Sequence, residues 1–302
     1  MFLKYGINQH NELIHIDYAP RGKTTLLCPY CGGDLLAKKG DVNIHHFAHE
    51  GKTCKAANRP DDHLALPAFD RFDLHLSSKD YATLQQFYFE PDSLNKRQIK
   101  RLGDLGLAYR SKFAEGYYLT YKGKVPFGDL PLAQFDKFQT PLIEARHSEL
   151  ERDALLAEAY SSGDLAIKRA DVRIYRAQWQ RVLSMRLYFL QVETPAVADL
   201  YKIGVTSRPI EARLHEIEAD LMPRIGSVRL HVIGLWEHYG NLEWYFKFRY
   251  HAYQRPIGLL TEYFAFEEIK PVLNDLQALP EKELSPMEQA ILVGKPPELG
   301  QV

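Results

Sequence analysis

Three cysteines and three histidines lie close together near the amino terminus, and zinc is bound by side chains of these two types. They are Cys28, Cys31, His45, His46, His49 and Cys54. Cys28 and Cys31 are three positions apart, and the two glycines that follow let the backbone turn so that both sulfurs face one ion. Zinc prefers four such ligands in a tetrahedron. The spacing predicts a zinc site with the ligands Cys28, Cys31, His46 and His49.

The ligand set has alternatives within the same cluster. His45 competes with His46 for one position, and Cys54 could replace a histidine. Four protein ligands leave no coordination position for water, so the expected role of the zinc is structural. A redox-active Cys-x-x-Cys motif is disfavoured because no βαβ pattern surrounds it. Zinc-dependent hydrolysis would require an open coordination position and a nearby glutamate.

The pattern Cys28-x-x-Cys31 followed by His46-Phe47-Ala48-His49 resembles the zinc-binding amino-terminal module of CoiA-like competence proteins. The resemblance covers about residues 1–65 and implies a zinc-ribbon-like module. In that family a restriction-type nuclease domain follows, with a spaced Asp and Glu-x-Lys pattern. Since the sequence lacks that pattern, we assign no catalysis to the first half of the chain.

A second set of candidate residues lies in the last part of the chain, where a hairpin, a helix carrying an arginine and a later glutamate are the parts needed to cut a phosphodiester with one metal ion. Leu187–Val192 and Tyr201–Val205 are predicted to be the strands of the hairpin. Ser207 and Pro209 favour a helix start. Arg213 lies beside the apolar stripe of this helix, which predicts that the helix packs on the sheet. The stripe is Ile210, Leu214, Ile217 and Leu221.

The elements that follow complete the predicted fold. Val228–Trp236 alternates and is predicted to be a third strand, and a break at 238–241 separates it from a helix over Leu242–Gln254, with Glu243 in the first turn. The expected fold class is α+β. It combines a carboxy-terminal β-β-α-β-α domain built on a three-stranded antiparallel sheet, a helical linker and the amino-terminal zinc module.

Five elements of this region, in order, resemble the GIY-YIG nuclease superfamily over about residues 185–275. They are Tyr188, Tyr201-Lys202-Ile203-Gly204-Val205-Thr206, Arg213, Glu243, and Arg255-Pro256-Ile257-Gly258 leading to Glu262-Tyr263-Phe264. The second motif reads Lys-Ile-Gly, as in the phage and bacterial branch of the superfamily. The resemblance implies a metal-dependent endonuclease.

The resemblance also implies a role for each of four residues. Arg213 holds a phosphate oxygen bidentately, and Glu243 binds one Mg²⁺ or Mn²⁺ that stabilises the leaving oxygen. Tyr188 orients or deprotonates the attacking water. Lys202 stands where many members carry a tyrosine, so it is expected to contact a phosphate or to act on Tyr188 as a neighbouring cation. Tyr201 should point to the opposite face of its strand.

The middle of the chain combines basic and aromatic side chains. The basic residues are Lys96, Arg97, Lys100, Arg101, Arg110, Lys112, Lys122 and Lys124, and the aromatic ones are Tyr109, Phe113, Tyr117, Tyr118 and Tyr121. Cations for phosphates and flat rings for bases favour a nucleic-acid surface, whereas an aromatic core with a solvated basic face is the alternative. Lys96–Leu107 is predicted to be a helix, and Gly116–Lys124 a strand that pairs with a segment such as Leu84–Glu90.

Two helices are predicted after Pro141, one to about Tyr160 and one from about Asp164 to Ser184. They form a linker or a dimerisation arm, so a homodimer through this linker is expected. Four domains follow from these patterns: a zinc-binding module over 1–65, a mixed α/β basic-aromatic region over 66–130, the helical linker over 131–184 and the nuclease-like domain over 185–302.

The composition limits the function classes. The 302 residues include 45% hydrophobic and 25% charged side chains and carry a net charge of -1, so any nucleic-acid surface must be a local one. No run approaches the ~18 apolar residues of a membrane span, and the start lacks a signal peptide. These features predict a cytoplasmic protein without membrane contact.

The leading hypothesis is a metal-dependent endonuclease that acts on DNA, with single- and double-stranded substrates both open. The zinc module and the basic middle region would supply substrate contacts. The rival hypothesis is a catalytically inactive nucleic-acid- or partner-binding protein that keeps the nuclease fold.

Overall fold

The computed structural model describes residues 3–40, 45–59, 64, 66, 78–130, 132–195, 199–237, 242–258, 260–279 and 282–294. The chain divides into two compact units. The first consists of Met1–Leu66, Leu142–Gln180 and Gly294–Val302, and the second consists of Pro67–Pro141 and Arg181–Val293. Among the described residues, no helix combines the length and the apolar character that crossing a bilayer requires.

A five-stranded antiparallel sheet forms the amino-terminal part of the first unit. Its strands are β1 (Tyr5–Ile7), β2 (Leu13–His15), β3 (Gly22–Leu27), β4 (Asp34–Lys38) and β5 (His46–His49), in the order β2-β1-β3-β4-β5. Leu35, Ala37 and Phe47 point from β4 and β5 into one small core. Because these strands are only three to six residues long, the sheet buries little apolar area by itself.

The middle segment belongs to the second unit and contains two helices and a hairpin. These are α1 (Ser78–Phe89), α2 (Lys96–Asp104), β6 (Ala108–Arg110), β7 (Tyr117–Leu119) and the short helix α3 (Tyr121–Lys124). The predicted pairing of 116–124 with 84–90 is wrong, because β7 pairs with β6 and residues 84–89 belong to α1. A nearby hairpin partner is favoured because closing a short loop costs less entropy than closing a long one.

Two long helices follow, α4 (Leu132–Ala159) and α5 (Leu165–Leu183). The expected helix start after Pro141 is wrong, since α4 begins at Leu132 and contains Pro141 in its interior. Proline removes one helical hydrogen bond, and the segments on both sides of it supply the remaining ones. Within the first unit, the two helices bury the side chains Ile143, Leu150, Ile174, Tyr175 and Trp179.

The carboxy-terminal part of the second unit is built on a second antiparallel sheet. Its elements are β8 (Arg186–Glu193), β9 (Leu200–Thr206), α6 (Ile210–Ile225), β10 (Arg229–Glu237), α7 (Glu243–Arg249), β11 (Tyr263–Phe264), α8 (Lys270–Gln277) and α9 (Pro286–Leu292). The strand order is β10-β8-β9-β11. The sheet therefore has four strands, and the predicted three-stranded sheet is wrong. The fourth strand, β11, has two residues and is too short for an alternating pattern to reveal it.

Helix α6 covers one face of this sheet. Its residues Ile217 and Leu221 are buried in one core with Tyr188 and Leu190 of β8. Ser207 was expected to cap the helix, but α6 begins after Pro209 and its first position has no side-chain cap. Immediately before the helix, the Arg208 N–H donates to Thr206 Oγ1 at 3.1 Å, and Pro209 has no N–H that would need a partner. The expected break at 238–241 lies outside the described residues.

Candidate functional site

Four side chains of the first unit converge on one point. The ligand atoms of Cys28, Cys31, His49 and Cys54 all lie within 4.8 Å of one another. Cys28 Sγ is 4.0 Å from Cys54 Sγ, and Cys31 Sγ is 3.3 Å from His49 Nε2. Three thiols and one imidazole at these separations form a Cys₃His group, which suits a structural metal such as zinc.

The loop between β3 and β4 places the first two cysteines. The Cys28 N–H donates to Gly33 O at 2.8 Å, the Gly32 N–H donates to Cys28 O at 2.9 Å, and Gly32 has a φ of 69°, in the left-handed region. Burial raises the pKa of the Cys28 thiol to about 12, although the backbone N–H groups of Tyr30 and Cys31 oppose this. A cation is therefore needed to hold the Cys28 sulfur as a thiolate at neutral pH.

The fourth member of the group differs from the predicted ligand set. His46 lies outside the group, and Cys54 occupies the position. His46 and His49 are both on β5, where they pair with Lys38 and Leu35 of β4. Residues three positions apart on a strand point to opposite faces, so only one of these two histidines can face the cysteines. His45 also lies outside the group.

A buried carboxylate of α5 anchors the same loop through a hydrogen bond from Tyr30. Asp171 of α5 is fully buried and accepts from Arg59 at 2.8 and 2.5 Å and from the Tyr30 hydroxyl at 2.9 Å. Burial and the Asp171 charge raise the pKa of Tyr30 well above its usual value, so this phenol remains a hydrogen-bond donor. Since Tyr30 lies between Cys28 and Cys31, the contact fixes the turn that carries both thiols.

A second cluster lies on the face of the second sheet that α6 covers. Tyr188 of β8 is directly opposite Gly204 of β9, and Lys202 of β9 is directly opposite Tyr263 of β11. The Tyr188 ring crosses β9 at Gly204, where a Cβ atom would overlap the Tyr188 hydroxyl oxygen. Glycine at this position is therefore a steric requirement of the tyrosine beside it.

Tyr201 lies on the other face of the sheet, as strand alternation predicts. Its ring stacks on Phe189 with the centroids 5.7 Å apart and contacts Phe266 at the same centroid distance. Tyr201 is thus a member of an aromatic layer remote from Tyr188 and Lys202.

Lys202 is a buried cation, with only 3% of its side chain exposed. Its Nζ is 3.5 Å from Glu262 Oε2 and 4.8 Å from the centroid of the Tyr263 ring. Burial lowers the pKa of Lys202, but Tyr188, Glu262 and other neighbours raise it by more, so the net pKa is above its usual value. The ammonium in turn keeps the pKa of Glu262 below its usual value, although burial opposes this.

Glu243 begins α7 and belongs to the same electrostatic cluster. Burial and the charge of Glu262 raise the pKa of Glu243, while Lys202 and Arg213 lower it, and the net pKa is above its usual value. Glu262 Oε2 is buried and makes no hydrogen bond among the described residues; its approach to Lys202 is an ion pair only. Glu243 and Glu262 are thus electrostatically coupled, and one of the two carboxyl groups has a buried oxygen without a hydrogen bond in the described part of the chain.

Arg213 projects from α6 toward Tyr188. Its Nε donates to the Tyr188 hydroxyl oxygen at 3.4 Å, and its second nitrogen donates to Glu216 Oε2 at 3.0 Å. Glu216 also accepts a bidentate pair of hydrogen bonds from Arg208, one of them at 2.6 Å. Burial lowers the pKa of Arg213, but Tyr188, Glu216 and Glu243 raise it well above its usual value. One carboxylate therefore holds two guanidinium groups at the edge of the cluster.

The four predicted residues thus share one cluster, and two further acidic residues join it. The pKa values of Lys202 and Arg213 are raised by Tyr188 and Glu243 among other groups, and that of Glu243 is affected by Lys202, Arg213 and Glu262. Glu216 lies three positions after Arg213, a helical spacing that could have revealed the pair. Glu262 could be found only from the pairing of β11 with β9.

Residues 10–57 match the protein family described as competence protein CoiA, N-terminal domain, which confirms the resemblance of the amino-terminal module. No curated protein and no solved structure matches the chain.

Proposed function

We propose that this protein is a metal-dependent endonuclease of the GIY-YIG type that hydrolyses phosphodiester bonds in DNA. The observation that carries the proposal is that Tyr188 and Lys202 lie on the same face of the second sheet, Arg213 donates to Tyr188, and Glu243 interacts electrostatically with Lys202, Arg213 and Glu262. The amino-terminal Cys₃His group is proposed to hold zinc in a structural role.

The cluster supplies the groups that phosphodiester hydrolysis requires. Arg213 presents a planar guanidinium that can bind a phosphate oxygen and neutralise charge on phosphorus. Glu243 and Glu262 are the residues that would hold one Mg²⁺ or Mn²⁺, which when bound stabilises the departing 3′ oxygen. Tyr188 has its hydroxyl oxygen beside Arg213 and is the group assigned to orient or deprotonate the attacking water.

Lys202 balances the charge of this arrangement. Without a cation, two neighbouring carboxylates in a buried site would favour the protonated state of one of them. Lys202 keeps Glu262 ionised, so the cluster retains a carboxylate ready for a divalent ion. Lys202, which stands where many members of the superfamily carry a tyrosine, thus has a charge-balancing role within the proposed site.

The test is cleavage of DNA by the purified chain with Mg²⁺ or Mn²⁺. Arg213→Ala and Glu243→Ala should each reduce the cleavage rate by at least about 100-fold. Arg224→Ala and Glu211→Ala remove the same side-chain types from exposed positions of α6 and should retain wild-type rates. Equal activity in all five proteins, or no dependence on added metal, would refute the proposal.

A catalytically inactive nucleic-acid-binding protein is the second candidate. The observation that favours it is that both cations of the cluster already have carboxylate partners, Lys202 with Glu262 and Arg213 with Glu216. Binding measured in EDTA and cleavage measured in Mn²⁺ separate the two functions. Binding without cleavage under either metal, with single-stranded, duplex and branched DNA, would favour the second candidate.

A further inference from the structure

The middle segment of the second unit concentrates positive charge that the rest of the chain lacks. Residues 95–124 contain eight basic and two acidic side chains, a net charge of +6, whereas the whole chain has a net charge of -1. A local excess of this size attracts a polyanion even when the protein as a whole is neutral.

Helix α2 separates its apolar and basic residues onto opposite faces. Ile99, Leu102 and Leu105 contribute to the core shared with α1, and Leu102 is fully buried. The exposed residues Lys96, Arg97 and Lys100 lie on the other side and form no ion pair within the described part of the chain. A capping box formed by Asn95 and Gln98 fixes the first turn of α2.

An ion pair sets the position of α2 against α1. Arg101 donates from two nitrogens to the two carboxylate oxygens of Asp80, each at 3.0 Å. Leu84 and Phe87 of α1 complete the core beneath α2. The two helices are joined over residues 90–95, which include one short 3₁₀ turn (Pro91–Ser93), so the segment has the helix–connection–helix order of a helix-turn-helix, with the basic side of α2 exposed.

The β6–β7 hairpin follows this helix pair and carries exposed aromatic and basic side chains. Tyr109 and Tyr118 are directly opposite each other, with ring centroids 6.1 Å apart, and both are exposed. Phe113 at the tip is completely exposed, and the exposed residues Arg110 and Lys112 precede it in the chain. Apolar rings on a solvent-facing hairpin cost free energy unless a partner covers them, so the hairpin is suited to contact a partner.

We propose that residues 78–124 form a duplex-DNA-binding element in which α2 enters the major groove and the β6–β7 hairpin lies along the adjacent backbone. In a helix-turn-helix, the exposed face near the start of the second helix contacts base edges, which is where Arg97 and Lys100 lie. A second helix of nine residues is long enough to enter the groove. Duplex DNA is favoured over a single strand because Lys96, Arg97 and Lys100, which form no ion pair among the described residues, lie together on one helix, and an α-helix fits the major groove of a duplex.

The element does not depend on the proposed hydrolysis, since its residues are distinct from those of the catalytic cluster. The zinc-loaded full chain, without Mg²⁺, Mn²⁺ or chelator, is therefore titrated against a fluorescent 30-base-pair duplex and the matching single strand at 50 to 200 mM salt. Arg97→Ala/Lys100→Ala should weaken duplex binding at least ten-fold and reduce the slope of log K against log salt by about 2.

Two further variants keep the test decisive. Arg229→Ala/Lys270→Ala removes two exposed cations from other elements of the same unit and should bind like wild type. Arg97→Lys/Lys100→Arg preserves the charge and should keep the salt slope, even if the alanine variant folds poorly. No duplex binding by the wild-type chain, equal loss in the alanine pair and the control pair, or tighter binding of the single strand would each overturn the proposal.

Discussion

Removal of the buried Lys202 charge should destabilise the second unit strongly. The Nζ–Oε2 distance of 3.5 Å to Glu262 corresponds to an attraction of about 5 kcal/mol at an effective dielectric constant of about 20. Desolvation of both groups offsets much of this attraction in the native protein. When Lys202→Met removes only the cation, the carboxylate keeps its desolvation cost, so the free energy of unfolding should fall by about 3–5 kcal/mol.

A double-mutant cycle measures the pair itself. Urea unfolding is measured for wild type, Lys202→Met, Glu262→Gln and the double variant. The sum of the two single losses should exceed the loss in the double variant by about 2–3 kcal/mol. Lys270→Met, which removes an exposed lysine from α8, should change the free energy of unfolding by less than about 0.5 kcal/mol.

The same variant has a consequence for the proposed chemistry. Lys202 lowers the pKa of Glu243 against the effect of burial, so Lys202→Met should raise that pKa further. The pH at which metal-dependent cleavage reaches half its maximum should then move to higher values. Three results would each contradict this expectation: a loss of unfolding free energy below about 1 kcal/mol in both single variants, additive losses in the double variant, or an unchanged pH profile of cleavage.

Three other perturbations test separate parts of the structure. Cys54→Ser should lower the bound zinc, measured by mass spectrometry, from about one ion per chain to a small fraction, whereas His46→Ala should retain it; the reverse pattern would contradict the Cys₃His group. Burial lowers the pKa of His147 to about 4, so the folded state binds fewer protons than the unfolded state between pH 6.5 and 4. Stability is therefore full above pH 6.5 and should fall by up to about 3 kcal/mol across that window, and His147→Phe should flatten the profile; a flat wild-type profile would refute the assignment. Gly128 has a φ of 64°, and a Cβ there would lie 2.6 Å from Arg249 Cβ, so Gly128→Ala should cost about 1–3 kcal/mol and lower the Tm; an unchanged Tm would show that the two segments separate easily.

Local pattern was sufficient for much of the fold. The short apolar runs over 187–192 and 201–205 and the 3–4 spacing of Ile210, Leu214, Ile217 and Leu221 predicted strands and a helix that the structure confirms. The runs are apolar throughout because β8 and β9 are buried on both faces, whereas α6 buries one face and so shows the helical period. The Cys-x-x-Cys turn was also readable, since both thiols belong to one short loop.

Long-range pairing was not readable from the sequence in the same way. The two residues of β11 are too few to show an alternating pattern. The fourth strand and the position of Glu262 therefore depend on pairing with β9, about 60 residues earlier in the chain. The pairing of β7 with β6 likewise depends on the lower entropy cost of closing a short loop, which residue types do not show. The residues of Leu84–Glu90 are compatible with a helix as well as a strand. Residue types and spacing could not show that Cys54, and not His46, belongs to the Cys₃His group, because this depends on which face of β5 lies toward the cysteines.

The sequence alone determined which chemistry this protein carries: thiols and imidazoles for a metal near the amino terminus, and a tyrosine, a lysine, an arginine and a glutamate arranged along a hairpin and two helices. Only the tertiary structure decided which of these side chains meet. Strand register decides which side chains face each other across a sheet. Burial and neighbouring charges decide the direction of the pKa shifts of Lys202, Glu243 and Glu262. Both arise from contacts between segments distant in the chain, which residue types and spacing do not encode.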